Sequence, residues 1–60
     1  MIRYVVMVEG RATGHDWEEY SGVEHKTLRE AMHELAVAKT DRSVDFAHIK
    51  EREVIKNDNR

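Results

Sequence analysis

The chain has 60 residues and carries ten Lys and Arg against twelve Asp and Glu, a formal net charge of −2. Because the charges nearly balance, the chain as a whole is neither a strongly basic protein that wraps nucleic acid nor an acidic tail that keeps a protein in solution. The chain contains no cysteine, which excludes disulfides, thiolate nucleophiles and cysteine-ligated metal sites.

The first part of the chain predicts two antiparallel strands. The β-branched run at 2–8 is apolar on both faces, as a central strand is. A loop bracketed by Gly10 and Gly14 has a length that suits a hairpin. The return strand at 16–21 is rich in acids, which favours an edge position because charge discourages unwanted strand pairing.

A helix and a third strand follow. Thr27 and Glu30 form a capping box, in which the Thr27 hydroxyl accepts from the Glu30 amide and the Glu30 carboxylate accepts from the Thr27 amide. Apolar residues at spacings of three and four then predict a helix that ends near Thr40. Residues 45–55 predict the third strand, with a less regular alternation. The apolar stripe of the helix comprises Leu28, Ala31, Met32 and Leu35, flanked by Ala36 and Ala38.

These elements predict an α+β fold, a two-layer β-β-α-β domain with one helix on one face of a three-stranded sheet. The sheet is expected to be antiparallel in the order 2-1-3, because a first strand that is apolar on both faces belongs in the middle. We expect a single domain over 1–56 and a polar tail at 57–60. The face under the helix is expected to hold Ile2, Tyr4, Val6, Val8, Trp17, Ala47 and Ile49.

The sheet face that the helix leaves uncovered is the main candidate for a binding surface. The solvated face of an antiparallel sheet is normally polar, whereas this one is predicted to have an apolar centre and a charged rim, which is typical of protein interfaces. The partner would be another protein, most simply a second copy packed sheet to sheet around a two-fold axis. The predicted interface residues are Val5, Met7, Tyr20, Phe46 and Lys50.

Other interpretations of the surface stay open. Val5 and Met7 are alternatively isolated surface apolar residues, which are normal in soluble proteins, or are covered by the C-terminal residues. The exposed helix face that carries Arg29, His33 and Val37 is a second candidate surface.

No residue pattern in the chain predicts catalysis or a cofactor. The four histidines lack the spacing of metal ligands, and no serine, histidine and aspartate are spaced as a catalytic triad would require. The loop between Gly10 and Gly14 lacks the Lys-Ser or Lys-Thr of a phosphate-binding loop. We therefore expect no enzyme activity, no metal or other cofactor and no small-molecule substrate.

Nucleic acid is the alternative partner. A sheet face that interleaves aromatic rings with basic side chains would suit stacked bases. The balanced charge argues against this, because affinity for nucleic acid depends on positive potential. The residues concerned are Tyr20, Phe46, His48, Arg3, Lys50 and Arg52.

The location of the protein is expected to be the cytoplasm. The longest apolar run, 5–8, is far shorter than the roughly 20 residues that span a bilayer, so we expect no membrane contact. Small secreted domains usually depend on disulfides, and this chain has no cysteine to form them.

The order of the elements and several local motifs resemble small ββαβ proteins of phages and prophages. The shared features are an opening apolar strand, a short Trp-containing strand that ends at Ser21 and Gly22, a helix start at 27–31 and a closing segment at 47–54. The resemblance covers most of the chain. It implies a phage or bacterial accessory protein that acts by binding another protein, as host-defence inhibitors such as anti-CRISPRs do.

The first half of the chain is also similar to the start of HicB-type antitoxins. The strand at 2–8, Trp17 and the helix start at 27–31 match in order. This resemblance implies inhibition of a toxin or a host enzyme by protein binding. The chain departs from that family because no proline-glycine-cysteine segment lies between Tyr20 and Thr27, and because its 60 residues include no C-terminal DNA-binding module.

Overall fold

The structure is a computed structural model that describes residues 1–55. It contains strand β1 at Ile2–Glu9, a 3-10 turn at Arg11–Thr13, strand β2 at Glu18–Glu19, helix α1 at Leu28–Lys39 and strand β3 at Phe46–Glu53. The predicted polar tail at 57–60 lies outside the described residues. No helix in this part of the chain has the length and apolar character needed to cross a membrane.

The three strands form one antiparallel sheet in the order β2-β1-β3, and α1 packs on one face of it. β1 pairs with β3 without interruption, from Ile2 opposite Glu53 to Glu9 opposite Phe46. The middle position of β1 follows from its composition, because its valines are buried on both faces of the sheet. The predicted α+β fold and strand order are therefore confirmed.

β2 is much shorter than the predicted strand at 16–21, since only Glu18–Glu19 pairs with β1 as a strand. The chain bends away at Gly22, whose φ of 79° suits glycine, and returns to β1 at His25. There Tyr4 and His25 exchange two backbone hydrogen bonds, of 2.9 and 2.8 Å. This bridge fixes the point at which the connection to α1 begins.

α1 begins where the capping box predicts. Thr27 is its N-cap, and its hydroxyl oxygen accepts from the Glu30 amide at 3.2 Å. The Glu30 carboxylate accepts from the amide of Lys26 at 3.3 Å, rather than from the predicted amide of Thr27. The carboxylate thus still satisfies an amide ahead of the helix, one residue earlier. The helix ends at Lys39, close to the predicted end.

The core fills the space between α1 and one face of the sheet. Ala31 and Ala38, seven residues apart and so on one helix face, are fully buried there. The predicted stripe placed Leu28 and Met32 in this contact, but they are 48% and 55% exposed. The helix is rotated so that Ala31 and Ala38 face the sheet, which leaves Leu28 and Met32 on one flank. Around Val6, Val8 and Ala38 pack Tyr20, Leu35, Val44, Ala47 and Ile49.

Candidate functional site

The sheet face opposite α1, which we call the open face, is defined by the register of β1 with β3. Side chains of paired residues in an antiparallel sheet share a face. Four pairs lie on this one: Arg3–Arg52, Val5–Lys50, Met7–His48 and Glu9–Phe46. Glu19 extends the face onto β2, because it pairs with Met7. Four of the five predicted interface residues therefore share this face, namely Val5, Met7, Phe46 and Lys50.

Val5 is covered rather than open, which corrects its predicted place at the interface. Its exposed fraction is 0%. The Arg52 guanidinium extends from β3 and donates to the carboxylates of Glu19 and of Glu24, the latter at 2.9 Å. Because the register puts Arg52 two residues before Val5 and Glu19 two residues after it, this ion pair crosses β1 over Val5. Charged side chains of the same chain thus close the centre of the open face.

The two carboxylates also fix the charge of Arg52. The hydrogen bond to Glu19, followed by that to Glu24, raises the pKa of Arg52 above its usual range. The side chain remains 33% exposed, so water screens these ion pairs and their contribution to stability is small. Their larger effect is to neutralise a cation that a nucleic-acid surface would need.

Tyr20 and Trp17 each lie on the face opposite to the predicted one. Tyr20 packs against the core on the α1 side, where its hydroxyl donates to Asp41 at 3.1 Å. Trp17 lies on the open face, with its ring centroid 4.7 Å from that of His48 and a tilt of 50°. The sequence predicts correctly that two strand residues three apart face opposite ways, but the pairing of β2 with β1 decides which face each takes. Tyr20 therefore does not belong to the open face.

Exposed aromatic side chains gather at one end of the open face. Trp17 is 48% exposed and Phe46 is 64% exposed. His48 follows Phe46 by two residues on the same face of β3, and its ring contacts that of Trp17 across β1. Met7, which pairs with His48, is half-buried beside them. We call Trp17, Phe46, His48 and Met7 the aromatic patch. Aromatic residues and Met are enriched at protein interfaces.

Charged side chains of both signs border the aromatic patch. Glu9 lies opposite Phe46, and Glu19 lies next to Met7 on β2. Lys50 lies exposed on β3, two residues after His48. A border of mixed sign is typical of the polar rim of a protein interface, whereas a nucleic-acid backbone needs a continuous positive surface.

The second candidate surface, formed by Arg29, His33 and Val37, lies along an open groove of about 850 Å³. These residues are spaced by four on α1, so helical periodicity alone was enough to group them. The groove separates this flank of the helix from the segment that carries Tyr20 and His25. Glu30 and Glu34 complete its lining.

One side-chain hydrogen bond in this groove was not predicted from the sequence. His25 hydrogen-bonds to the Glu34 carboxylate, and their side chains are only 16% and 14% exposed. The pair supplements the backbone bridge to Tyr4, so the segment before α1 is attached both to the sheet and to the helix. Nine residues separate the two partners, and no strand or helix spacing signals such a contact.

The hydrogen bonds of Tyr20 and Asp41 make the stability of the fold depend on pH. Donation to Asp41 raises the pKa of Tyr20, because only the neutral phenol can donate. The pKa of Asp41 is lowered, first by the hydrogen bond that it accepts from the Ser43 hydroxyl. The stabilisation by Asp41 is therefore present above the ordinary carboxyl pKa and is lost in acid, as the pH falls through the lowered value.

Replacing Tyr20 with Phe should remove a stabilisation that has the opposite pH dependence. The stabilisation by the Tyr20 hydroxyl is fully present below the ordinary tyrosine pKa of about 10. It is lost as the pH rises through the raised pKa of Tyr20 in the folded state. Denaturant unfolding of the wild type and of Tyr20→Phe, at neutral pH and above about pH 10, should show the difference in free energy of unfolding shrinking in alkali. A constant difference would contradict this role of the hydroxyl.

The aromatic patch and the groove are the two candidate binding surfaces. Among residues 1–55, no three His, Asp or Glu side chains come together as metal ligands. Comparison with protein-family models, with curated proteins and with solved structures found no match to this chain.

Proposed function

We propose that this protein acts by binding another protein and that the aromatic patch is the contact surface. The observation that carries the proposal is the exposure of Trp17 and Phe46 on a sheet face that α1 does not cover. Burial of one such side chain contributes on the order of 1.5–3 kcal/mol before the costs of association. Trp and Tyr are also frequent among the residues that dominate binding energies at interfaces.

Self-association is part of this proposal. A chain of this size buries only about 60% of the surface that its unfolded form exposes, and a second copy is a common way to cover more. The open face offers less apolar surface for this purpose than the sequence predicts, because Val5 is covered and Tyr20 lies on the other side.

The cellular setting of the proposal rests on the sequence pattern alone. The similarity to small ββαβ phage proteins, and that of 2–8, Trp17 and 27–31 to HicB-type antitoxins, favours an accessory protein that inhibits a toxin or a host enzyme. Such inhibition requires protein binding and no catalysis by the inhibitor. We therefore propose a non-enzymatic, cytoplasmic role that needs no cofactor.

A nucleic-acid-binding sheet is the second candidate function, and the half-exposed ring of Trp17, which contacts the His48 ring, favours it. Bases stack on exposed aromatic side chains with little regard to sequence. The charges oppose it, because Arg52 is neutralised by Glu19 and Glu24 on this face. A single-stranded oligonucleotide that quenches Trp17 fluorescence strongly at low salt would favour nucleic acid over protein.

The test of the proposal compares two serine variants of equally exposed residues. Trp17 is in the aromatic patch, and Val37, 51% exposed, is in the groove. We expect a protein from the cell that encodes this chain to bind the wild type and Val37→Ser, and to bind Trp17→Ser at least about tenfold more weakly, as loss of a dominant interface residue does. Equal binding by all three would contradict the proposal, and loss with Val37→Ser alone would assign binding to the groove.

Trp17 also reports directly on occupancy of the aromatic patch, since it is the one tryptophan of the chain. Its half-exposed ring should shift its emission to shorter wavelength when a purified partner removes water from it. The Val37→Ser variant should show the same shift. Emission that is unchanged at saturating partner would place the contact elsewhere.

A further inference from the structure

β3 is an edge strand with backbone groups available for pairing. It pairs with β1 on one side, and within residues 1–55 no strand pairs with its other side. The Val54 amide donates to the Met1 carbonyl at 2.9 Å, and the direction of these groups alternates along a strand. Even-numbered residues of β3 therefore direct their amides to β1, and odd-numbered residues direct theirs outward. The outward residues are Ala47, Ile49, Glu51 and Glu53.

One flank of α1 lies above this edge and is apolar. The opposite flank faces the groove towards Tyr20, and Ala31 faces the sheet, so the remaining flank lies on the β3 side. Met32 is one residue on from Ala31 and is therefore about 100° around the helix axis. Leu28 lies one turn earlier on the same flank, and both side chains are about half exposed.

We propose that a second copy of this chain covers both features, with β3 pairing antiparallel to β3 of the copy around a two-fold axis perpendicular to the sheet. The product is a six-stranded sheet with both helices on the same face. This inference rests on the self-association in the proposed function, and it assigns that contact to the sheet edge instead of the open face. It satisfies unpaired backbone groups and covers exposed apolar side chains in one contact.

The fold sets the two helices at a packing distance in this arrangement. α1 packs on both β1 and β3, so its axis lies above the gap between them. Strands in a sheet are about 4.8 Å apart, so the two helix axes would be about 10 Å apart. Packed helices are separated by about 8–10 Å. Leu28 and Met32 of the two copies would then fill the seam between the helices.

The charges of β3 disfavour some registers of this pairing more than others. A two-fold axis perpendicular to the sheet sets one residue opposite its own copy. Axes at Lys50 or Glu51 place like charges directly opposite each other, which is destabilising. An axis at His48 places Glu51 opposite Asp45 of the copy. An axis at Ile49 places an apolar pair at the centre on the core side and sets Glu51 opposite Ala47. Its facing pair of acids, Glu53 with Asp45 of the copy, lies at the end of β3, one residue further from the axis than the acidic pair of the His48 register.

The first experiment measures the mass of the full chain by analytical ultracentrifugation over a range of micromolar concentrations. The wild type should approach twice the 7.1 kDa mass of one chain. Met32→Glu should shift the mass to that of one chain, because it places a charge in the seam. Val37→Glu, equally exposed on the other flank, should stay dimeric. A wild type that remains monomeric throughout would overturn the inference.

The second experiment removes one outward backbone donor. Glu51→Pro deletes an amide that points away from β1, so the pairing with β1 keeps its hydrogen bonds, whereas Glu51→Ala retains the amide. We expect the proline variant to be monomeric with the circular dichroism of the wild type, and the alanine variant to be dimeric. If the proline variant is dimeric like the alanine variant, the edge pairing is wrong. If the proline variant unfolds, the masses of Met32→Glu and Val37→Glu decide whether the dimer forms through the β3 edge.

The mass of Trp17→Ser separates this inference from the proposed function. The edge pairing predicts that this variant stays dimeric, because Trp17 lies on the β2 side of the sheet. If Trp17→Ser is monomeric and Met32→Glu is still dimeric, the edge pairing is wrong and self-association uses the open face. A dimer that persists while partner binding shows no dependence on Trp17 would reject only the aromatic patch as the binding surface.

Discussion

Replacement of Gly10 with alanine should destabilise the fold by about 1–3 kcal/mol or more. A Cβ atom at this position would lie 2.5 Å from the Ser43 carbonyl oxygen and 2.7 Å from the Asp45 amide nitrogen. Both atoms belong to backbone that cannot move aside easily, because the Asp45 amide donates to the Glu9 carbonyl at 2.8 Å. Cores of this size supply only about 3–5 kcal/mol of net stability, so this loss is a large fraction of the total.

Gly14→Ala is the matched control for this substitution. Gly14 has a φ of 68°, which disfavours alanine by about 1–2 kcal/mol, but a Cβ there would meet nothing within 4 Å. Gly10→Ala should therefore cost more than Gly14→Ala in urea unfolding followed by circular dichroism. Equal costs would mean that the close approach of the chain before β3 to Gly10 does not limit stability.

Gly10 illustrates what the sequence predicts and what it leaves undetermined. The two glycines that bracket a loop correctly predict a connection between strands. The contact between Gly10 and the chain before β3 joins positions more than thirty residues apart, and nothing in the local pattern signals it. The β-branched run of β1 and the cap at Thr27 are local signals, and the elements that they predict are confirmed.

The candidate site was predictable only where a strand or helix period decided the outcome. Phe46 lies on the predicted open face, because its face follows from the regular alternation of a strand. Tyr20 and Trp17 exchange faces, because two paired residues, Glu18–Glu19, set the register of β2. The contact between the rings of Trp17 and His48 depends on that register, so the sequence alone could not predict the aromatic patch.

Val5 is buried because a long side chain from β3 extends over it, and no periodic pattern in the sequence predicts such a contact. The sequence marks Arg52 and Glu19 as charged residues of two different strands. Only the register shows that an ion pair between them must cross β1 over Val5. The flexible hydrocarbon stem of an arginine can lie along apolar surface while its guanidinium remains hydrated, and this explains how a charged side chain closes an apolar face.

Replacement of Ala38 with leucine should destabilise the fold by about 1–3 kcal/mol, because added methyl groups in a packed contact displace their neighbours. Ala38 and Ala31 are fully buried between α1 and the sheet, and their small side chains set how closely the helix approaches. A leucine at His33, on the exposed side of α1, should change the free energy of unfolding by less than about 0.5 kcal/mol. Denaturant unfolding of both variants gives the comparison.

The outcome of Ala38→Leu also bears on which flank of α1 is available to a second copy. If the alanines determine the rotation of the helix, Leu28 and Met32 must remain on the flank above β3, where the proposed edge pairing requires them. A fully stable Ala38→Leu variant would mean that α1 can turn about its axis and bury Leu28 and Met32 against the sheet, as the apolar stripe in the sequence predicts. The exposed flank would then be only one of two accessible arrangements, and the edge pairing would lose its apolar component.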